Sequence, residues 1–133
     1  DALTAAAAGR VTAMHDATEC GVYGGLYEMA RAASVSIAVD REGVPVLPGV
    51  EATCEFFDID PWTSISEGTL LVTVDPEGTD AVLDALDAEG IPAAAVGTVR
   101  EGSGVEIDGE PIDHPERDPY WAAVEENLPK LET

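Results

Sequence analysis

Residues 11–29 read VTAMHDATECGVYGGLYEM and carry the clearest structural signal in the chain. The apolar residues Val11 to Met14 predict a short strand, and the glycines that follow predict the start of a helix. The first turn of a helix leaves backbone N–H groups without partners and carries a positive partial charge. A glycine there lets a phosphate or carboxylate approach the backbone, so the sequence predicts an anion site near Thr18 and Gly21.

Two interpretations of this segment stay open at the level of sequence. Asp16 and Glu19 have the spacing of a capping box, which would make them structural residues that complete the start of the helix. In the second interpretation, the Thr18 hydroxyl and the Gly21 N–H hold the anionic group of a substrate. A bulky side chain at Gly21 is then expected to block that group without disturbing the core.

Hydrophobic periodicity predicts the elements that follow. Residues 34–40 alternate with period two, which predicts a half-buried strand. A second strand is predicted at 69–74, followed by a helix that Asp75 caps and Pro76 opens. A short helix is predicted between these strands, around Val50, Cys54 and Phe57. The helix after residue 20 carries one apolar stripe, formed by Val22, Leu26, Met29, Ala30 and Ala33.

The last third of the chain is predicted to hold a hairpin and a helix. Strands at 93–100 and 105–107 are predicted to pair across Glu101-Gly102-Ser103-Gly104, with a further turn at Asp108-Gly109. Residues 1–133 show no internal repeat and no linker, so they are predicted to form a single domain. Asp118-Pro119 opens a last helix, whose predicted docking residues are Tyr120, Trp121, Val124 and Leu128.

The composition is strongly acidic. The 133 residues hold 27 Asp and Glu against 6 Lys and Arg, for a formal net charge of -21. Such a chain cannot assemble the basic face that phosphate neutralisation requires, which argues against a nucleic-acid partner. A hydrophobic content of 45% argues against disorder. Acids spread over the outer faces of the predicted elements are typical of a salt-loaded cytoplasm, so we expect a halophilic source.

Few other motifs point to chemistry. Cys20 and Cys54 lack metal-ligand spacing, and neither a disulfide nor a metal site is expected from them. His15 and His114 belong to no Cys/His cluster, so zinc is not expected either. The sequence contains no Walker loop and no recognisable Ser/His/Asp nucleophile motif, so the catalytic residues stay unassigned. No run approaches the ~20 apolar residues of a membrane span, and a cytoplasmic protein without a membrane partner is expected.

The chain resembles a known superfamily in its motifs and in the order of its elements. HDATECG at 15–21, leading into GGLYEMA, resembles the opening motif of the C-terminal domain of the aminoimidazole ribonucleotide synthetase superfamily. Members include the hydrogenase-maturation carbamoyl dehydratase, selenophosphate synthetase and thiamine-monophosphate kinase. ISEGTLL at 65–71 resembles a later turn of the same domain. Two differences stand out: Cys20 replaces the first glycine of a usual pair, and the chain lacks the terminal cysteine of the carbamoyl dehydratase.

The resemblance implies an α+β domain in which helices flank a mixed β-sheet, with a partly ferredoxin-like topology. It implies the substrate side of a two-domain protein whose N-terminal domain, absent from this chain, binds ATP and Mg²⁺. That protein is expected to be a homodimer acting on a small anionic substrate, whereas this part alone is expected to carry no cofactor and no activity. The substrate-binding residues implied by the resemblance are His15, Asp16, Thr18, Gly21, Ser66, Glu67 and Gly68.

An alternative of a different class is a non-catalytic small-molecule-binding or interaction domain that has kept the fold. For Ser66, Glu67 and Gly68, a plain turn is the alternative to a cleft edge. The sequence upstream of Asp1 discriminates between the two classes, because an upstream domain with metal-binding aspartates favours the enzyme.

Overall fold

The structure is a computed structural model that describes residues 1–131, with side chains described up to residue 128. Helices and strands alternate along most of the chain. The helices are α1 (Ala2–Ala8), α2 (Gly21–Ala33), α3 (Pro48–Phe57), α4 (Thr79–Ala88) and α5 (Pro119–Leu131). The strands are β1 (Val11–Asp16), β2 (Val35–Val39), β3 (Leu70–Val74), β4 (Gly97–Glu101), β5 (Gly104–Ile107) and β6 (Glu110–Ile112).

Two sheets organise the fold. β1 and β3 form an antiparallel ribbon, and the other strands form a mixed sheet in the order β4-β2-β5-β6. In that sheet β2 is antiparallel to β4 and parallel to β5, while β6 is antiparallel to β5. The predicted α+β class, with helices flanking a mixed sheet, is confirmed. The predicted turn at Asp108 and Gly109 is also confirmed, with φ of 52° and 82°.

The predicted hairpin between β4 and β5 is wrong, because β2 lies between these two strands. Gly102 and Gly104 have φ of 134° and 90°, and this backbone carries the chain across the end of β2 in the space of two residues. β4 begins at Gly97 rather than at Ala93 and is exposed along its whole length. Insertion of β2 beside β5 gathers the apolar residues of both strands, which a local hairpin would separate. These residues are Ile37, Val39, Val105 and Ile107.

α2 packs on this sheet and forms the main core with it. Of its predicted stripe, Leu26 and Ala30 are buried, whereas Ala33 is exposed. A Cβ built on Gly25 would lie 2.8 Å from Leu71 Cδ1, so close packing on β3 explains a glycine inside this helix. The buried residues of the main core are Leu26, Ala30, Ile37, Val39, Trp62, Val105 and Ile107.

A second, smaller core lies between α1 and α4. Before α4, the Asp75 carboxylate accepts a hydrogen bond from the Glu77 N–H (3.3 Å), as predicted for a cap. The capped element is a 3-10 turn over Pro76–Gly78, and α4 itself begins at Thr79. The buried residues of the second core are Ala5, Val82 and Leu86.

The predicted docking face of α5 is wrong for three of its four residues. Tyr120, Trp121 and Leu128 are 41%, 52% and 48% exposed, whereas Val124 is half-buried and Ala123 is buried. Among the described side chains, the helix therefore meets the body through a small residue and leaves its aromatic residues in solvent. Directly before the helix, the carboxylate of Asp118 is buried.

Candidate functional site

Pairing of β1 with β3 brings the two predicted site segments together. The ribbon continues past its strands, and the Ser66 N–H donates a hydrogen bond to the Thr18 carbonyl (3.2 Å). Residues 15–18 and 66–68 therefore follow one continuous border of the ribbon, which we call the ribbon edge. The start of α2 comes directly after its first segment.

His15 is held between carboxylates on the ribbon edge. Its Nε2 lies 2.6 Å from Oε2 of Glu28 in α2, and its Nδ1 lies 3.8 Å from Oδ1 of Asp16. The imidazole is 33% exposed and the Asp16 side chain is 82% exposed, so a ligand can reach both. An oriented, accessible imidazole can exchange a proton with a bound molecule. Sequence reasoning missed Glu28, although this residue belongs to the GGLYEMA motif.

The second segment of the ribbon edge is a short ordered turn. The Ser66 hydroxyl donates to Thr69 Oγ1 (3.0 Å) and accepts from the Gly68 N–H (3.4 Å). Glu67 and Gly68 are exposed, and a Cβ built on Gly68 meets no atom within 4 Å. The turn therefore leaves a carboxylate and an open stretch of backbone available to a ligand.

Of the two interpretations of the start of α2, the capping box is wrong. Asp16 is the last residue of β1, and Glu19 lies outside the helix, which begins at Gly21 with Cys20 as its N-cap residue. Cys20 and Gly21 have φ of 59° and 57°, two consecutive left-handed residues that turn the chain from the ribbon into the helix. The left-handed turn takes the place of a side-chain cap. Glycine tolerates this conformation best, so Cys20 occupies a position that favours glycine.

Gly21 lies against the loop that precedes the second segment. A Cβ built on it would lie 2.5 Å from the Ser64 carbonyl oxygen and 2.7 Å from that of Trp62. Side chains do not pack this close to backbone oxygens, so the loop would have to move. The expectation that a bulky residue at Gly21 leaves the core intact is therefore wrong.

Internal acceptors bind several N–H groups at the start of α2. One acceptor is the carboxylate of Asp118, which lies 98 residues along the chain from Cys20. The Asp118-Pro119 sequence indicated a helix start, but nothing in the sequence linked it to α2. An anion that approaches α2 thus meets a carboxylate already in place. The bonds run from Gly21 to the Thr18 carbonyl (3.1 Å), from Tyr23 to the Trp62 carbonyl (3.1 Å) and from Cys20 to Asp118 Oδ2 (2.5 Å).

The Cys20 thiol is buried beside this carboxylate. Burial raises its pKa, and the negative charges of Asp118, Glu19 and Glu28 raise the pKa further. The Sγ atom lies 3.9 Å from the Pro115 carbonyl oxygen, to which it can donate a weak hydrogen bond. The thiolate is therefore disfavoured at neutral pH, and with it nucleophilic chemistry at this cysteine.

Arg41 holds the loop that packs on Gly21. Its guanidinium forms an ion pair with Asp60 and lies 5.1 Å from the centroid of the Trp62 ring. The Trp62 N–H donates to Asp60 Oδ1 (3.0 Å), and the Trp62 ring meets that of Tyr23 edge-on at 6.0 Å. The hydrogen bond with Asp60 raises the pKa of Arg41, which keeps the cation charged in this contact.

The described side chains do not form a metal site of their own. Up to residue 128, no three His, Cys, Asp or Glu side chains lie together as ligands, and Cys20 and Cys54 are free and buried. In residues 1–131, no helix has the length and apolar character needed to cross a membrane.

Comparison with known families places this domain. The family model described as AIR synthase related protein, C-terminal domain, matches residues 1–110. The chain belongs to this family. The match contains both segments of the ribbon edge and ends before Asp118, so the carboxylate at the start of α2 comes from outside the matched region.

Individual relatives point to one branch of the family. Carbamoyl dehydratase HypE of Rhizobium leguminosarum bv. viciae is 39% identical over 99 residues, which are 73% of this chain and 28% of the relative. The crystal structure of E. coli HypE, a hydrogenase maturation protein, has 31% identity and a TM-score of 0.76, covering 88% of this chain and 38% of that one.

A third similar protein contains a nucleotide. The crystal structure of hydrogenase maturation protein HypE in complex with ATP has 25% identity and a TM-score of 0.71, covering 84% of this chain and 38% of that one. The chain thus spans between 28% and 38% of the length of these three proteins.

Proposed function

We propose that this chain is the acceptor-side domain of an ATP-dependent enzyme of the AIR synthase related family. One observation carries the proposal: β1–β3 pairing gathers accessible polar groups from two distant segments on the ribbon edge, within the region that the family model matches. In the complete protein, a preceding domain binds ATP with Mg²⁺ and supplies most of a homodimer interface. The present domain forms the opposite wall of the cleft, in a cytoplasmic protein.

Each group of the ribbon edge has a distinct task in this proposal. His15, oriented by Glu28, exchanges a proton with the acceptor. The Thr18 hydroxyl donates a hydrogen bond to its anionic part, and the Ser66 hydroxyl does the same once it turns away from Thr69 Oγ1. Glu67 accepts from an amide or amine N–H. When bound, ATP supplies the phosphoryl group that activates the acceptor oxygen. The remaining residues of the proposed binding surface are Asp16 and Gly68. Gly21 is not part of it, because this residue is buried against the loop and its N–H binds the Thr18 carbonyl.

The net charge of the chain weakens acceptor binding by the isolated domain. A net charge of -21 opposes the approach of any anion, so the local donors must overcome a repulsive field. Half of the cleft also belongs to the other domain in this proposal. The isolated domain therefore binds the acceptor weakly and has no catalytic activity.

The test uses the longer protein that contains this chain, as wild type and as Ser66→Ala and Glu67→Gln variants. Glu110→Gln is the matched control, because Glu110 is an exposed glutamate in the other sheet. ATP turnover is measured with a panel of small amides, amines and phosphate esters. Loss of a hydrogen bond to a charged group costs about 1.5–3 kcal/mol, or roughly a 10–100-fold change in affinity.

We expect the acceptor KM of Glu67→Gln to rise by about tenfold or more, while the Kd for ATP stays within about twofold of wild type. Ser66→Ala is expected to change in the same direction, and the control to change neither value. An unchanged acceptor KM in folded Ser66→Ala and Glu67→Gln proteins would remove the ribbon edge from acceptor binding.

A non-catalytic binding domain is the second candidate. The observation that favours it is the Asp118 carboxylate at the start of α2. If the domain belonged to an enzyme, the anionic group of a substrate would be expected at this position. The same assay separates the two candidates. ATP binding without phosphate release that depends on an acceptor would indicate a binding protein.

A further inference from the structure

The second segment of the ribbon edge is the end of a loop. Residues 58–69 contain no helix and no strand, so contacts with the rest of the domain fix their position. Toward the end of the loop, the Ser66 N–H donates a hydrogen bond to the Thr18 carbonyl (3.2 Å). Another attachment lies earlier in the loop, at Asp60 and Trp62.

Trp62 fastens the loop to α2 and to the main core. Its ring is buried (3% exposed), and its carbonyl accepts a hydrogen bond from the Tyr23 N–H (3.1 Å). The Trp62 N–H donates to Asp60 Oδ1 (3.0 Å). The Asp60 carbonyl in turn accepts from the Thr63 N–H (3.0 Å), so Asp60 shapes the turn that carries Trp62.

Arg41 reaches this turn from the mixed sheet. Its guanidinium pairs with Asp60 and lies 5.1 Å from the centroid of the Trp62 ring, so one side chain holds both residues. The backbone of Arg41 is fixed as well. Its N–H donates to Asp108 Oδ1 (2.9 Å), and the Asp108 N–H donates to the carbonyl of Val39 in β2 (3.0 Å). Arg41 thus links the sheet to the loop.

The loop needs a cation because its own charges are negative. Residues 58–67 contain Asp58, Asp60 and Glu67 and no Lys or Arg. In a domain with a net charge of -21, an acidic loop is repelled by its surroundings. A planar guanidinium binds a carboxylate and stacks on an indole at the same time, whereas the compact ammonium of lysine lacks the planar group that stacks.

We propose that Arg41 is a positioning residue for the second segment of the ribbon edge. It fixes Asp60 and Trp62, and through them the turn that presents Ser66 and Glu67 to the acceptor. Arg41 contacts the loop and the sheet, and it influences the acceptor through the loop. This inference rests on the proposed function, because the acceptor is the ligand that the turn presents its groups to. Its first measurement needs no acceptor, which keeps the two tests separate.

The variants are made in the longer protein that contains this chain. Arg41→Met removes the charge and the planar group, whereas Arg41→Lys keeps the charge. Arg10→Met is the matched control, because Arg10 forms ion pairs with Asp75 and Glu77 at the opposite end of the β1–β3 ribbon. Exchange of the amides in the second core reports whether each variant is folded.

The first measurement is hydrogen exchange of the amides of Trp62 and Ser66. We expect both to exchange about tenfold faster or more in Arg41→Met, because the loss of a charge-assisted contact frees the loop. Arg41→Lys is expected to show a smaller increase of about two- to fivefold, and the control none. Unchanged exchange of both amides in folded Arg41→Met would overturn the proposal. If Arg41→Met does not fold, unchanged exchange in Arg41→Lys would do so.

The second measurement is acceptor kinetics. The probe is the small amide, amine or phosphate ester that gives the largest ATP turnover with the wild-type protein. We expect the KM of Arg41→Met for this probe to rise by about tenfold, while the Kd for ATP stays within about twofold of wild type. Arg41→Lys is expected to recover part of the loss.

A double variant distinguishes positioning from a general loss of stability. If Arg41 acts through the turn, Arg41→Met adds little to Glu67→Gln, and the KM of the double variant stays within about threefold of that of Glu67→Gln alone. Effects on KM that multiply in the double variant would overturn the proposal. An unchanged KM in Glu67→Gln alone would instead remove the proposed function, whereas faster exchange of Trp62 and Ser66 in Arg41→Met would still assign the position of the loop to Arg41.

Discussion

Replacement of Gly21 by alanine is expected to lower the free energy of unfolding by about 2–4 kcal/mol. The left-handed backbone at Gly21, with φ of 57°, costs an alanine about 1–2 kcal/mol. The new Cβ would also lie 2.5 Å and 2.7 Å from the carbonyl oxygens of Ser64 and Trp62, an overpacking that costs about 1–3 kcal/mol. Alanine also lowers the conformational entropy of the unfolded chain, which raises the free energy of unfolding by about 0.4–1 kcal/mol and partly offsets these two costs.

Two other glycines separate these contributions. Gly90 has φ of 70° and no atom within 4 Å of a built Cβ, so Gly90→Ala carries the strain without the clash and is expected to cost about 1 kcal/mol. Gly68 has neither a left-handed backbone nor an atom within 4 Å of a built Cβ. Gly68→Ala is therefore expected to leave the free energy of unfolding unchanged or to raise it by up to about 1 kcal/mol.

The assay is urea unfolding in about 1 M KCl, where charge repulsion is screened, followed by circular dichroism. The unfolding free energies of the three variants are compared with that of wild type at equal m-values. A Gly21→Ala protein no less stable than Gly90→Ala would refute the reasoning, because the backbone of the neighbouring loop would then not confine this position.

The remaining predictions concern charge, a thiol and a cation. With a net charge of -21, the melting temperature is expected to rise between about 0.01 M and 1 M KCl, as the Debye length falls from roughly 30 Å to 3 Å, and a flat profile would contradict the halophilic interpretation. Because burial and nearby acids raise the pKa of Cys20, its contribution to stability is complete below the pKa of an unfolded thiol, about 8.5, and is lost as the pH rises above it. Iodoacetamide is therefore expected to alkylate Cys20 at pH 8 more slowly than a model thiol, and faster alkylation would contradict this. Arg41→Lys, measured in a Trp121→Phe background so that Trp62 alone fluoresces, is expected to shift the emission to longer wavelength, because lysine lacks the planar guanidinium that stacks on the ring. An unshifted emission would show that the cation does not shield Trp62.

The hydrophobic periodicity of short segments was sufficient to predict β2 and α2, two elements of the main core. The period-two alternation of residues 34–40 predicted β2, and the helical spacing of Leu26 and Ala30 predicted the buried side of α2. The order of the strands was not predictable in the same way. The turn between β4 and β5 has the glycines of a hairpin, but pairing β2 with β5 buries more apolar surface, and that gain depends on residues about 70 positions apart.

The site was predictable where it lies in contiguous motifs. The segments around His15 and Glu67 were recognised from the sequence, and β1–β3 pairing then placed them together. Glu28 and Asp118 were missed. A lone acid on a helix commonly forms a surface ion pair, and an acid at a helix start commonly caps the helix, so neither residue indicated a site. Their partners are His15 and Cys20, and only the folded chain shows that these side chains and backbone groups meet.

Hydrogen exchange of the longer protein, with and without an acceptor that stimulates ATP turnover, tests the ribbon edge as the acceptor wall. With ATP present in both samples, we expect the acceptor to slow exchange of the amides at residues 15–19 and 64–69. The amides of Val82 and Leu86, in the second core, are expected to exchange at the same rate in both samples. Protection by the acceptor confined to other parts of the protein, with residues 15–19 and 64–69 unchanged, would contradict the assignment of this edge to acceptor binding.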